Sequence, residues 1–219
     1  MISRNLHQLI NEFCDLNSRI MKTLNKKWLF LIILSIIWGS SFILIKKALT
    51  GFTPYQIGGL RNVLTGLILL GFGYKGLKEI KRHQWKWIAI SGFLGSFFPA
   101  FFFAIAETQI GSGITSVLNS LVPLNAILIG AAMFKIASSK RQILGVIIGF
   151  IGTVFLILKG QDINPDQNYL YAGFIIASTL MYATNVNIIK RHLQTVKPLT
   201  IAAGNYVFII LPAFIVLCF

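Results

Sequence analysis

Residues 38–49 read WGSSFILIKKAL, and residues 182–193 read YATNVNIIKRHL. In both stretches an aromatic residue is followed by small and polar residues, an apolar run, two basic residues and, at the last position, leucine. A proline follows five residues further on, at Pro54 in the first copy and at Pro198 in the second. All of these positions recur at an offset of 144 residues. We therefore interpret the two stretches as corresponding parts of an internal repeat.

Apolar segments of membrane-spanning length occupy most of the chain. The sequence is 55% hydrophobic with a mean hydropathy of +0.74, and a helix needs about 20 mostly apolar residues to cross a bilayer. Seven segments qualify: 28–45, 54–72, 87–106, 113–134, 143–158, 170–189 and 199–219. The sequence therefore predicts an all-α, polytopic membrane protein with about seven transmembrane helices.

The number of crossings between the two copies sets their relative orientation. Five predicted crossings fit inside the offset, and an odd number turns the second copy upside down, as in many secondary transporters. We predict a 5+5 inverted repeat whose second repeat is incomplete. Residues 1–25 form a cytoplasmic N-terminal segment, 26–160 the first five-helix unit, and 168–219 two helices of the second. Met21 is an alternative native start, which would leave the first twenty residues outside the native chain.

The basic residues predict how the chain is oriented in the membrane. Of the 20 lysines and arginines, 16 fall in four alternate connections, 1–27, 73–86, 135–141 and 190–197. The positive-inside rule places these segments and the N-terminus in the cytoplasm, and connections 48–53, 107–112 and 159–169 outside. The net charge of +14 thus serves orientation in the lipid bilayer, and we predict no nucleic-acid partner.

Arg61 is the sharpest candidate for a functional residue inside the membrane. It lies seven residues into the second predicted helix, about 10 Å from Pro54 along the axis. A charged side chain at this depth faces a cavity or partner, or it snorkels to the outer headgroups. Gly58 and Thr65 share its face. Glu107 could pair with it, but its position at the end of the third helix favours a hydrated carboxylate.

The fourth predicted helix has a polar stripe at spacings of three and four residues. Its members are Ser112, Thr115, Ser116, Asn119 and Pro123. They either line a substrate cavity or form interhelical hydrogen bonds, which small and polar residues commonly do in membranes. Because proline cannot donate to the carbonyl four residues earlier, Pro123 weakens the turn at Asn119.

The repeat adds a matching pair of faces on the first and sixth predicted helices. Trp38 and Ser41 correspond to Tyr182 and Asn185, and inverted-repeat transporters bind substrate near the midplane where the repeats meet. Packing in the protein core is the alternative fate of such aromatic residues. We predict that one water-accessible substrate site is lined by Trp38, Ser41, Arg61, Ser116, Asn119, Tyr182 and Asn185.

Several of these stretches also resemble a known family. WGSSF at 38–42, Arg61 after Pro54, NSLVP at 119–123 and GVIIGFIG at 145–152 resemble the EamA-like domain of the drug/metabolite transporter superfamily. The resemblance covers about residues 26–219. It implies two EamA-like units, ten helices in all, that move small metabolites or drugs across the cytoplasmic membrane. One departure is the sequence FKIA at 134–137, where many relatives have an acidic residue.

The predicted function is therefore secondary transport of a small molecule, in the export direction, by alternating access. The alternative is a truncated remnant that does not transport, because the second unit stops after two helices. Self-association would then cover the exposed helix faces. No enzyme, cofactor or metal site is predicted, since His7, His83 and His192 all fall in cytoplasmic segments and no predicted helix contains an aspartate.

Overall fold

The computed structural model describes residues 28–136, 139–163 and 166–219, except the side chains of 156 and 160–163. The chain divides into two compact units, Met1–Ser41 and Phe42–Phe219. All regular structure in the described ranges is helical, and seven of these helices are long and apolar enough to cross a membrane. The predicted fold class, an all-α polytopic membrane protein, is confirmed.

Each of the seven predicted segments corresponds to one of these helices, and the seventh ends one residue earlier than predicted. The helices are α1 (Trp28–Ala48), α2 (Pro54–Gly73), α3 (Arg82–Gln109), α4 (Ser112–Phe134), α5 (Lys140–Ile163), α6 (Tyr169–His192) and α7 (Pro198–Cys218). After α2 the chain continues through a 3₁₀ turn, Tyr74–Glu79.

The start of α2 is fixed by its own first turn. Thr53 Oγ1 accepts a hydrogen bond from the Gln56 backbone N–H at 3.2 Å, and Gln56 Oε1 accepts one from the Thr53 N–H at 3.0 Å. This reciprocal capping box satisfies two donors that the helix leaves unpaired. Pro54 follows at the first helical position, where its missing N–H costs nothing. The sequence thus defines where α2 begins, and hence the level of Arg61.

Helix α3 widens in the middle. Its two α-helical parts, Trp85–Gly92 and Phe98–Gln109, are joined by a π-helical turn over Phe93–Phe97. Pro99 follows this turn and has no N–H for the Gly95 carbonyl, so regular α-helical bonding cannot continue through it. Single π turns of this kind often occur at functional sites.

Helix α4 is broken at the position that the sequence predicts. Its first part, Ser112–Asn119, ends before Pro123, and the second part covers Val122–Phe134. The second part packs against α6 through buried amide groups. Asn125 Nδ2 donates to Thr179 Oγ1 at 2.9 Å. Polar contacts of this kind join membrane helices.

Helices α2 and α7 pack closely and run antiparallel. A Cβ atom at Gly59 would lie 3.0 Å from the Leu217 Cβ, and one at Gly66 would lie 2.9 Å from Ile210 Cδ1. A Cβ at Gly73 would overlap the methyl group of Ala203. As the residue number rises along α2 it falls along α7, which defines the direction. Small residues on α2 therefore let the two backbones approach, as is common in membranes.

These contacts follow the offset of the internal repeat. Ala203 lies 144 residues after Gly59, and Leu217 lies 144 residues after Gly73, so the offset exchanges the Gly59–Leu217 contact with the Gly73–Ala203 contact. Ile210 lies 144 residues after Gly66, so that contact joins a position to its own counterpart. This pattern is what a two-fold axis passing between Gly66 and Ile210 would produce.

Candidate functional site

A polar cavity of about 120 Å³ lies between four helices of the second compact unit. It is lined by Arg61, Asn62 and Thr65 of α2, Gly95, Ser96 and Ala100 of α3, Tyr182 of α6, and Tyr206 of α7. One water molecule takes about 30 Å³ of liquid volume, so the cavity has room for roughly four waters. Most of its lining side chains are polar, although every helix around it is predominantly apolar.

Helix α2 contributes the charged group. The Arg61 guanidinium makes no hydrogen bond or ion pair with another side chain in the described part of the structure. Its neighbour Asn62 is buried and donates from Nδ2 to the Gly58 carbonyl at 3.0 Å. Arg61 and Thr65 are one helical turn apart, so both reach the same side of α2. The cavity therefore contains a cation whose hydrogen-bond donors are unused.

The π-helical turn of α3 supplies the opposite wall. Gly95 and Ser96 both lie in this turn and both line the cavity. A side chain at Gly95 would overlap the amide group of Asn185, so the glycine is what allows α6 to approach here. Asn185 packs directly on a lining residue, and its Oδ1 is buried without a hydrogen-bond partner among the described atoms.

Two tyrosines complete the lining from α6 and α7. The Tyr182 ring stacks on Phe103, with ring centroids 6.1 Å apart and an interplanar angle of 25°. Phe103 in turn packs on Phe42 with ring centroids 5.5 Å apart, so Tyr182 is held by Phe103 at the edge of an aromatic cluster. Tyr206 is 7% exposed. Both phenols bring a hydroxyl group to the cavity.

The structure corrects the expectation for Glu107. This residue is completely buried, and neither carboxylate oxygen has a hydrogen-bond partner among the described residues. The hydrated position expected from the sequence is wrong because α3 continues to Gln109 and only two residues separate it from α4. The Lys46 ammonium binds here instead, donating to the backbone carbonyls of Glu107 at 2.5 Å and Ile110 at 3.2 Å.

The cavity contains two of the predicted site residues, Arg61 and Tyr182, and Asn185 lies beside it. Ser116 and Asn119 do not line it. Ser116 Oγ donates to the Gly113 carbonyl of its own helix at 2.8 Å, and Asn119 is half-buried with its Oδ1 unpaired among the described atoms.

Trp38 and Ser41 lie on α1, in the first compact unit. They are the repeat counterparts of Tyr182 and Asn185, and their membership of the site stays a prediction.

Six lining residues are absent from the predicted site, namely Asn62, Thr65, Gly95, Ser96, Ala100 and Tyr206. Two of them are counterparts in the repeat, because Tyr206 lies 144 residues after Asn62, but the offset alone marks neither position as part of a site. Ser96 reaches the cavity through the π-helical turn, for which we see no sequence signal beyond Pro99. In the described ranges, no group of three or more His, Cys, Asp or Glu side chains is close enough together to hold a metal ion.

Comparison with known proteins identifies the class. Residues 26–158 match the EamA-like transporter family, and the chain belongs to this family. Similar proteins include an uncharacterized transporter of Archaeoglobus fulgidus, 26% identical over 83% of this chain and 64% of the relative. Another is the uncharacterized inner membrane transporter YedA of Escherichia coli K12, 30% identical over 68% of this chain and 48% of the relative.

Protein PecM of Dickeya dadantii is also similar, with 29% identity over 59% of this chain and 42% of the relative. The chain spans less than two thirds of the length of these relatives. No solved structure matches it.

Proposed function

We propose that this chain acts in a secondary transporter that exports small metabolites or drugs across the cytoplasmic membrane by alternating access. The observation that supports this most is the polar cavity around Arg61 and Tyr182, which lies among helices of membrane-spanning length. Catalysis is not part of the proposal, since membership of the EamA-like transporter family points to transport.

The position of Arg61 inside the membrane is the reason why the cavity suits a polar substrate. Arg61 lies about 10 Å along α2 from Pro54, and an arginine inside a membrane helix costs up to about 2.5–3.5 kcal/mol on insertion scales. Water in the cavity would lower that cost, and a polar substrate could replace the water. The cavity thus offers a polar substrate a place inside the membrane.

The repeat supports the same location. The cavity adjoins the α2–α7 interface, whose contacts the 144-residue offset exchanges. In inverted-repeat transporters the substrate site lies near the midplane at the repeat interface. In this proposal the substrate contacts Arg61 and Tyr182, and Asn185 lies directly behind the lining at Gly95. Trp38 and Ser41, the counterparts of Tyr182 and Asn185, stay predicted site residues, as do Ser116 and Asn119 of α4, which do not line this cavity.

The proposed location and orientation follow from charge and from one relative. YedA is named an inner membrane transporter, and the basic residues concentrate in alternate connections. We propose the cytoplasmic membrane, with the N-terminus inside.

Export can be tested without knowing the substrate. The chain is expressed in bacterial cells, and metabolites released into the medium are compared by mass spectrometry with those released by cells expressing the Tyr182→Ala variant. We expect specific metabolites to accumulate in the medium with the wild-type chain and not with Tyr182→Ala. The matched control is Gly71→Ala, because a Cβ at Gly71 has no neighbour within 4 Å; it should behave as the wild type.

Membrane levels of the three proteins are equalised by immunoblot. Identical media for wild type and Tyr182→Ala would contradict transport through this cavity. Accumulation inside the cells instead of the medium would contradict the export direction.

A further inference from the structure

We propose that the Arg61 cavity binds the carboxylate group of a small organic anion. This inference rests on the proposed function, because it names the class of substrate that the transport site would take.

The first argument is the unused hydrogen-bonding capacity of Arg61. A guanidinium presents five N–H donors in a planar fork that matches the two oxygens of a carboxylate. Arg61 lines the cavity and has no protein acceptor among the described residues. A ligand with two acceptor oxygens on one atom would therefore find a matching donor pair.

The second argument is the balance of charge around the cavity. The lining residues include Arg61 and no aspartate or glutamate. Glu107 interacts electrostatically with both Lys46 and Arg61, and neither of its carboxylate oxygens has a hydrogen-bond partner among the described residues. Two cations therefore share one acidic side chain, and Arg61 makes no ion pair with it. One further negative charge at the Arg61 guanidinium would balance the group, whereas a cation would be repelled.

The third argument is the remaining donors of the lining. Thr65, Ser96, Tyr182 and Tyr206 are the hydroxyl-bearing residues of the lining, and the Tyr206 side chain interacts with those of Ser96 and Thr65. A hydroxyl can donate to a carboxylate oxygen that the guanidinium leaves partly free. Asn62 adds no free donor pair, because its amide already donates to the Gly58 carbonyl.

The size of the cavity limits the ligand. Its volume of about 120 Å³ is well below the roughly 300–1,000 Å³ of pockets for drug-sized molecules. A carboxylate with two or three further carbon atoms fits a space of about four waters. The ligand is therefore a small carboxylate, or the acidic end of a longer molecule.

Chemical protection of Arg61 tests this on the unaltered chain. The purified full chain in detergent is treated with phenylglyoxal, which modifies arginine, and the modification of each arginine is followed by peptide mass spectrometry. Propanoate is compared with propanamide, propylammonium and inorganic phosphate at constant ionic strength. At ten times its dissociation constant, propanoate should slow the modification of Arg61 about tenfold by simple mass action. Propanamide and propylammonium should have no such effect.

Arg191 is the internal control. It lies exposed at the end of α6, and its modification rate should not respond to propanoate. Equal protection of Arg191, no protection of Arg61 by propanoate, or protection by phosphate alone would each overturn the proposal. In a second measurement, Arg61→Gln should abolish the thermal stabilisation of the chain by propanoate, and Arg191→Gln should leave it unchanged.

The two proposals can fail separately. Protection of Arg61 by propanoate without metabolite export would leave the carboxylate site standing and contradict the transport proposal. Export of a neutral or cationic metabolite that depends on Tyr182, without protection of Arg61 by propanoate, would support the transport proposal and contradict the carboxylate site.

Discussion

Gly58 and Phe101 hold α2 against α3 next to the cavity. The Phe101 ring occupies the space that a side chain at position 58 would need, and it contacts Phe97 at 5.1 Å in the π-helical turn. The contact therefore couples the helix that bears Arg61 to the turn that bears Ser96. Because glycine has no side chain, α2 can approach Phe101 of α3 this closely at Gly58.

Substitution at Gly58 should consequently destabilise the chain. In Gly58→Ala the new methyl group overlaps the Phe101 ring, and such overpacking typically costs about 1–3 kcal/mol. Gly71→Ala is the matched control on the same helix, where the methyl group meets nothing within 4 Å and alanine is the better helix former. Thermal unfolding of both variants in the same detergent checks the difference. Equal stability of the two would show that α2 and α3 do not pack as described.

Single residues also show what the sequence could and could not predict about the site. Arg61 and Tyr182 could be predicted, because a charge at membrane depth and a mid-helix aromatic in a repeat are visible in the sequence. The burial of Glu107 could not be predicted, because this burial depends on the short connection between α3 and α4. Ser116 has its hydroxyl bonded within its own helix, and nothing in the sequence separates that outcome from a place in the cavity.

At the level of helices, α2 and α7 make the most extensive helix–helix contact in the described part of the second unit. Helix positions followed from hydropathy alone, because each segment had to be long and apolar enough to cross the membrane. The break in α4 also followed from Pro123. The π-helical turn in α3 did not, because Pro99 can begin, kink or end a helix depending on what packs around it.

The antiparallel register of α2 and α7 gives a cross-linking prediction. In a chain with Cys14 and Cys218 replaced by serine, the pair Gly59→Cys and Leu217→Cys should form a disulfide. Their Cβ atoms lie 3.0 Å apart, and a shift of under about 1 Å reaches the 3.5–4.5 Å of real disulfides. The control pair is Gly71→Cys with Leu217→Cys. A reducible mobility shift on gels is expected only for the first pair. Cross-linking of the control pair alone would exclude the register and, with it, the exchange of contacts by the repeat.

At the scale of the whole molecule, the orientation of the chain in the membrane is predicted from the sequence alone. The distribution of basic residues predicts that the connection between α2 and α3 faces the cytoplasm and that between α5 and α6 faces outside. Lys78 and Asp166 are exposed positions in these two connections, and they provide matched labelling sites.

Labelling of intact cells tests this orientation. With native cysteines replaced by serine, a membrane-impermeant maleimide added outside should label Asp166→Cys and not Lys78→Cys. Lys78→Cys should become reactive once the cells are opened. The reverse pattern would mean that the chain is inserted the other way round, with its N-terminus outside.

The central claim is that a water-filled polar cavity lies among the membrane helices at Arg61. The most direct measurement is the reaction of a cysteine at Ser96 with a membrane-impermeant anionic methanethiosulfonate, in liposomes that contain the chain without Cys14 and Cys218. Phe98→Cys is the matched control, because Phe98 lies two residues away on the same helix, outside the cavity lining, and is exposed on the helix surface. Ser96→Cys should react, and faster than with a cationic reagent of similar size, while Phe98→Cys in the lipid stays unmodified. An unreactive Ser96→Cys, or equal reaction at both positions, would contradict the cavity.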